Sequence, residues 1–188
     1  MPPLIRFFVF GSNESDLRTR VETFIMKILL SLALIFFSVF TAVAQTARLS
    51  HKDLNPLEGG KWVGSLTYLD YSSGKSTSIK SDISVSKLSD RKWSFAFTYP
   101  DEPKANSKDN VILGDHGRTF DGETVVERTK LRDGVTRLVT SRAGKDNDKP
   151  ATIRHTYLIS KREFSIKKEV KLDSGGDYFE RHIYSWRR

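Results

Sequence analysis

The residues with chemistry to offer are four histidines, some Ser/Lys pairs and one Asp-rich turn. His51 and His116 fall in a lead-in segment and a turn, whereas His155 and His182 fall in strand-like runs. His155 alternates with Ile153, Tyr157 and Ile159, and His182 with Tyr178, Tyr184 and Trp186. A histidine on an aromatic strand face can point into a cavity and hydrogen-bond or ligate what sits there. It can equally be paired with a neighbouring Tyr or Glu, or lie at the surface. No H-x-H or comparable spacing occurs, so the pattern calls for no metal and no cofactor. Arg154 and Arg181 sit on the opposite parity from these histidines. If that parity lines an interior, their guanidinium groups could hold an anionic head group.

Catalytic signatures are absent. There is no G-x-S-x-G, no H-E-x-x-H and no phosphate-binding glycine loop. Ser72-Ser73-Gly74-Lys75 and Ser84-Val85-Ser86-Lys87 fit S-x-x-K, but the chain is rich in both residue types and lacks the partner motifs. Asp146-Asn147-Asp148 lacks the Gly and distal Glu of a calcium loop and reads as a solvated turn. No catalytic residue is assigned, and a binding role is expected ahead of an enzymatic one.

The elements that must position these groups read as strands. Apolar and polar residues alternate from Gly59 onward, with turn signals at strand-like intervals. Lys61–Tyr71 places Trp62, Leu66 and Tyr68 on one face, and Ser76–Leu88 does the same for Ile79, Ile83 and Val85. Trp93, Phe95, Phe97 and Tyr99 share one side of the clearest strand and need a large apolar volume to face. Further strands are expected over Asn110–Gly114, Glu123–Leu131, Val135–Arg142, Ala151–Ser160, Glu163–Leu172 and Tyr178–Trp186, with polar loops over Lys104–Asp109 and Gly144–Pro150. Both faces of the last strand carry large residues, which implies a cover on its outer side from the lead-in or a partner chain. Short connections pair neighbouring strands antiparallel, and a meander of this length removes its open edges by closing. The expected fold is all-β, an antiparallel up-and-down barrel of about 8–10 strands, with a β-sandwich as the alternative.

Met26–Ala44 has the build of a secretory signal: Lys27, an apolar run over Ile28–Val43, and a small-residue exit at Ala42-Val43-Ala44. The run is short for a membrane anchor, which needs about 20 apolar residues. Residues 1–25 read as an over-called extension before a start at Met26, residues 45–58 as a lead-in, and residues 59–188 as one barrel domain. The expected location is therefore periplasmic or secreted, with no integral span in the mature form. The 144 residues from Gln45 carry 27 Lys/Arg against 20 Asp/Glu, scattered along the strands. Scattered lysine protects strand edges and aids solubility, and together with export it argues against a nucleic-acid partner. There is no cysteine, so neither a disulfide framework nor a lipidated cysteine supports the domain.

Gly60-Lys61-Trp62 at the start of the first strand resembles the G-x-W motif that opens lipocalin-like barrels. The resemblance extends to the wider group that includes fatty-acid-binding and nitrobindin-like barrels. It implies that Trp62 packs across the barrel floor under an arginine from near the last strand, where the sequence offers Arg181, Arg187 and Arg188, with Arg187, beside Trp186, the best-placed match. It further implies a cavity, with Trp62, Tyr68, Phe95, Phe97, Tyr99, His155, Tyr157, His182 and Tyr184 as its candidate lining. Three functions follow as expectations. One is a binding barrel for a small apolar or amphipathic ligand. Another is a non-catalytic module of the cell envelope, acting as a homodimer or with an envelope partner. The third is a haem-binding barrel that uses His155 or His182.

Overall fold

The structure is a computed structural model that describes residues 22–27, 47–70 and 73–188. The chain divides into two compact units, Met1–Gln45 and Thr46–Arg188. In the first, residues 22–27 are helical, and most of the signal segment Met26–Ala44 lies outside the described residues. No helix among the described residues is long and apolar enough to cross a membrane.

The second unit is a closed antiparallel barrel of ten strands with one outer strand. It begins with a short helix α1 (His51–Leu54) and a 3-10 turn over Asn55–Leu57. The strands are β1 (Lys61–Asp70), β2 (Lys75–Lys80), β3 (Asp82–Ser89), β4 (Lys92–Thr98), β5 (Ser107–Gly114), β6 (Thr119–Phe120), β7 (Glu123–Lys130), β8 (Thr136–Asp146), β9 (Lys149–Ile159), β10 (Glu163–Leu172) and β11 (Phe179–Arg187). Successive strands pair except at β2 and β3, which both pair with β1, and β11 closes the ring onto β1, which excludes a sandwich. Ser81 divides what the sequence presents as one strand into β2 and β3. β2 pairs only with β1, whereas β3 pairs with the foot of β1 and with β4.

Two expected loops are strand instead. Ser107–Asp109 belongs to β5, because Phe95, Ala96 and Phe97 of β4 pair with it. Gly144–Asp146 and Lys149–Pro150 extend β8 and β9, and only Asn147 and Asp148 turn the chain. Both have positive φ, 51° and 62°, the geometry of a tight hairpin whose twist matches that of its strands. Polar composition hid these segments.

The register sorts interior residues into layers. At the foot, Gly64, Trp186, Phe164, Ile159 and Thr136 lie side by side on β1, β11, β10, β9 and β8. Above them come Leu66, Tyr184, Ile166, Tyr157 and Leu138, and above those Tyr68, His182, Lys168, His155 and Thr140. The barrel is therefore aromatic below and polar above. Trp62, Trp93, Trp186 and Phe164 are fully buried in the foot, and the Phe164 and Trp186 rings stack with centroids 5.0 Å apart. Gly64 is required at this layer. A Cβ there would meet Ser185 O at 2.0 Å and Trp186 Cα at 2.8 Å, so the absent side chain lets Trp186 lie against β1.

The lead-in plugs the foot. Leu49, Leu54 and Leu57 join the core, and the Trp62 indole N–H donates to Leu57 O at 3.1 Å. Asp53 is both a cap and an anchor. It accepts from the Ser50 N–H at 2.9 Å and takes Arg128 at 2.6 Å and Lys130 at 3.2 Å. Burial would raise its pKa, but the hydrogen bonds from Arg128, Ser50 and Lys130 outweigh burial and hold it below the usual carboxylate range. The lead-in thus covers the barrel's end rather than the outer face of the last strand.

The cation over Trp62 is Arg188, not Arg187. The Arg188 guanidinium lies 4.3 Å from the ring centroid and donates to the carbonyls of Pro56, Glu58, Gly59 and Lys161. Arg187 is on the opposite parity, exposed, and 3.4 Å from Glu163. Trp186 occupies the inward position of that pair, so its immediate successor faces out and the next residue returns to the floor.

Candidate functional site

The layered interior opens at its upper end. An open pocket of about 680 Å³ is lined there by Leu66, Tyr68, Leu69, Asp70, Asp146, Lys168, Arg181 and His182. Of the nine residues expected to line a cavity, Tyr68 and His182 do so. Trp62, Phe95, Tyr157 and, partly buried, Phe97 belong to the packed core below. Tyr184 and Tyr99 meet across the interior, their hydroxyls 2.9 Å apart, and Tyr184 stacks on Trp186 with centroids at 5.1 Å. They form a lid on the aromatic core, so the lower barrel is filled by side chains.

A β-bulge shapes the pocket. Lys168 pairs with His182 and Glu169 with Glu180, which leaves Arg181 as an extra residue on β11. An extra residue shifts the alternation of side chains by one. Arg181 therefore turns to the same side as His182, correcting the parity assigned to it from sequence. Its guanidinium is buried and grips Asp146 with two bonds, at 2.8 and 2.6 Å. Asp146 is thus the partner of a buried cation rather than part of a solvated turn. The bulge also explains the two-faced last strand, because Phe179, beyond it, pairs with the inward-facing Val170. Arg154 stays outside, bonded to Glu169 at 3.2 Å and 3.8 Å above the Tyr178 ring centroid.

His155, expected as a cavity residue, is held by a carboxylate. Glu123 is buried and takes three donors: His155 Nδ1 at 2.8 Å, the Thr140 hydroxyl at 2.5 Å and Arg142 Nε at 2.9 Å. Burial would raise the Glu123 pKa, but the bonds from His155 and Thr140 with the charge of His155 prevail, and it lies below its ordinary value. Tyr157 beneath is pushed strongly up, first by burial and then by the charges of Glu123 and Asp121. Its phenol therefore stays protonated.

His182 differs. Burial, then the like charges of Lys168, His155 and Arg181, lower its pKa to about 4, so it is a neutral imidazole at physiological pH. Its ring meets that of Tyr184 edge-on, with centroids 5.4 Å apart. Among the described residues no group of three or more His, Cys, Asp or Glu is placed to hold a metal ion. The pocket offers the Lys168 cation, a neutral imidazole, a phenol, two leucines, the Asp70 carboxylate at its rim and the Arg181–Asp146 ion pair, a set suited to holding a molecule with a polar end and an apolar body.

Sequence reasoning missed Lys168 and Glu123. The available signal was charge at core parity. Lys168 alternates with Ile166 and Val170, and Glu123 with Val125, so each shares a face with residues that must be buried.

No protein-family model matches the sequence, and no curated protein matches it. Among solved structures the chain is similar to the crystal structure of Rv2717c from M. tuberculosis, with a TM-score of 0.49 and 13% identity over 73% of this chain and 95% of that one. A likeness at that level carries no functional argument.

Proposed function

We propose that this protein is an exported, lipocalin-like binding barrel that takes a small apolar or amphipathic ligand into its upper pocket. The pocket of about 680 Å³ above a packed aromatic floor carries the reading. Its volume lies within the range of small-molecule sites, about 300–1,000 Å³, and its lining mixes leucines with a few convergent polar groups. Export is supported by the Met26–Ala44 sequence pattern alone.

Titration with N-phenylnaphthylamine, a neutral fluorescent probe, tests the binding. Saturable enhancement weakened by Leu66→Asp or Tyr68→Asp supports the reading, and a probe that stays dark overturns it. A Soret band shift on haem titration, lost with His155→Ala or His182→Ala, would move the function to a haem barrel. N-terminal sequencing of the exported protein tests the leader, with a mature start at Gln45 expected.

A second reading has its own observation. An outer groove of about 520 Å³ crosses β1, β11, β10 and β9, floored by Gly64, Ser65, Ser165 and Ser185 and flanked by the exposed Val63 and Leu158. Such a groove suits an envelope partner or a second copy of the chain. Light scattering behind size exclusion separates a dimer from a monomer, and Val63→Lys should abolish the dimer.

A further inference from the structure

The pocket's polar corner is more specific than its general character. The inference below rests on the pocket reading and deepens it.

Lys168 stands in the polar interior layer above Ile166, between His182 on β11 and His155 on β9, each its direct cross-strand neighbour. Adjacent strands lie about 4.8 Å apart, so these three side chains share one patch of wall. The carboxylates that could neutralise Lys168 are committed elsewhere. Glu123 holds His155, Thr140 and Arg142. Asp146 holds Arg181 with both oxygens. Glu169, next in sequence, faces outward and holds Arg154 and Lys167. Asp70 stands at the pocket rim and accepts the Ser73 hydroxyl at 2.7 Å. Among the described residues no carboxylate lies within 4.0 Å of the Lys168 ammonium.

We infer that the Lys168 ammonium, with the His182 imidazole beside it, receives an anionic group, a carboxylate or a phosphate, so that the ligand is an anionic amphiphile whose apolar part lies along Leu66 and Leu69. The field at the corner agrees. Every charge acting appreciably on His182 is positive, coming from Lys168, His155 and Arg181, and it adds to burial in keeping the ring neutral. A cation in a partly dehydrated pocket attracts an anion far more strongly than one on an open surface. The bulge contributes by bringing Arg181 inward, where it binds Asp146 and keeps that carboxylate off Lys168. The opposite wall fixes the orientation. Asp109, paired with Phe95 on β4, and Asp121 lie on the β5–β7 side, and the charges of Asp109 and Glu123, after burial, raise the Asp121 pKa. An anion is thus repelled from that wall and drawn to β10 and β11.

The test is calorimetric titration of the full chain at pH 7 and low salt with dodecanoate, dodecyl phosphate, dodecanol and dodecyltrimethylammonium, and with acetate and inorganic phosphate alone. Dodecanoate or dodecyl phosphate should bind at least about tenfold tighter than dodecanol, with the ammonium weakest. Lys168→Met should remove that preference, while Lys168→Arg keeps it. Asp70→Asn, which removes a negative charge from the rim, should strengthen the anions. Acetate or phosphate binding as tightly as the amphiphiles, and lost in Lys168→Met, would still support the anion site but make a free anion its source. Equal affinity for dodecanol and both anionic amphiphiles, or a preference that survives Lys168→Met, overturns the inference while the pocket stands. If none of the probes binds, the pocket reading falls and the inference falls with it.

Discussion

Acidifying the protein from pH 7 to pH 4.5 should destabilise it through His182. The folded pKa is lowered to about 4, against about 6.5 in an unfolded chain. A lowered histidine pKa means that unfolding takes up a proton between those two values. The stability is therefore complete above about pH 6.5 and is lost as the pH falls towards 4. Over the stated interval the linkage gives about 2.5 kcal/mol from this one ring, a large part of the net stability of a domain this size. The groups facing the ring are Tyr68 on β1, Lys168 on β10, His155 on β9 and Arg181 and Tyr184 on β11, with Asp146 of β8 behind Arg181. None of the cations leaves as the pH drops, so nothing relieves the cost of charging His182. Urea unfolding followed by tryptophan fluorescence reads the effect, because all three tryptophans are buried. With a urea slope of about 2 kcal/mol per molar, the midpoint should fall by about 1 M between the two pH values. His182→Gln removes the titrating group and should remove most of that fall. The lowered carboxylates Asp53 and Glu123 lose their contribution only below about pH 4.5, outside the window. Equal losses in wild type and His182→Gln would refute the reasoning, since the ring would then be hydrated and ordinary.

Asp146→Ala takes the carboxylate from the buried Arg181 and should cost about 3 kcal/mol in urea unfolding, whereas Arg181→Met with Asp146→Leu together should cost clearly less. Gly64→Ala drives a methyl group into the Ser185 carbonyl and the Trp186 backbone, so a loss of about 3 kcal/mol or more and a shifted tryptophan spectrum are expected. Arg188→Ala removes the stack on Trp62 and the bonds to the lead-in carbonyls; these groups are exposed, so about 1–2 kcal/mol is expected, with faster proteolysis within residues 47–58 as the second readout. Asp53→Ala releases the same segment from Arg128 and Lys130 and should give a similar proteolysis pattern with a loss of about 3 kcal/mol.

The all-β barrel was legible in the sequence because side-chain direction in a strand has a period of two. Trp93, Phe95 and Phe97 had to share a face, and so did Ile153, His155 and Tyr157, whatever surrounded them. Gly60-Lys61-Trp62 also marked the floor correctly, and the alternation placed His182 with Tyr184 and Trp186. That reasoning broke where the backbone departed from the period. One extra residue at Arg181 turned its guanidinium to the same side as His182, against the opposite parity read from the sequence, and no composition signal marks a bulge. The floor cation was displaced by one position because inward and outward sides alternate at the strand's end, which gave Arg188 the place expected of Arg187. The division of the interior into an aromatic foot and a polar mouth was beyond the sequence altogether. It depends on which residues of β1, β11, β10, β9 and β8 stand at one height, and only the register of the closed ring decides that. Pattern along one chain determined which faces are apolar; the register between neighbouring strands decided that Lys168, His155 and His182 meet, because their neighbourhood is made by hydrogen bonds across strands rather than by spacing along them.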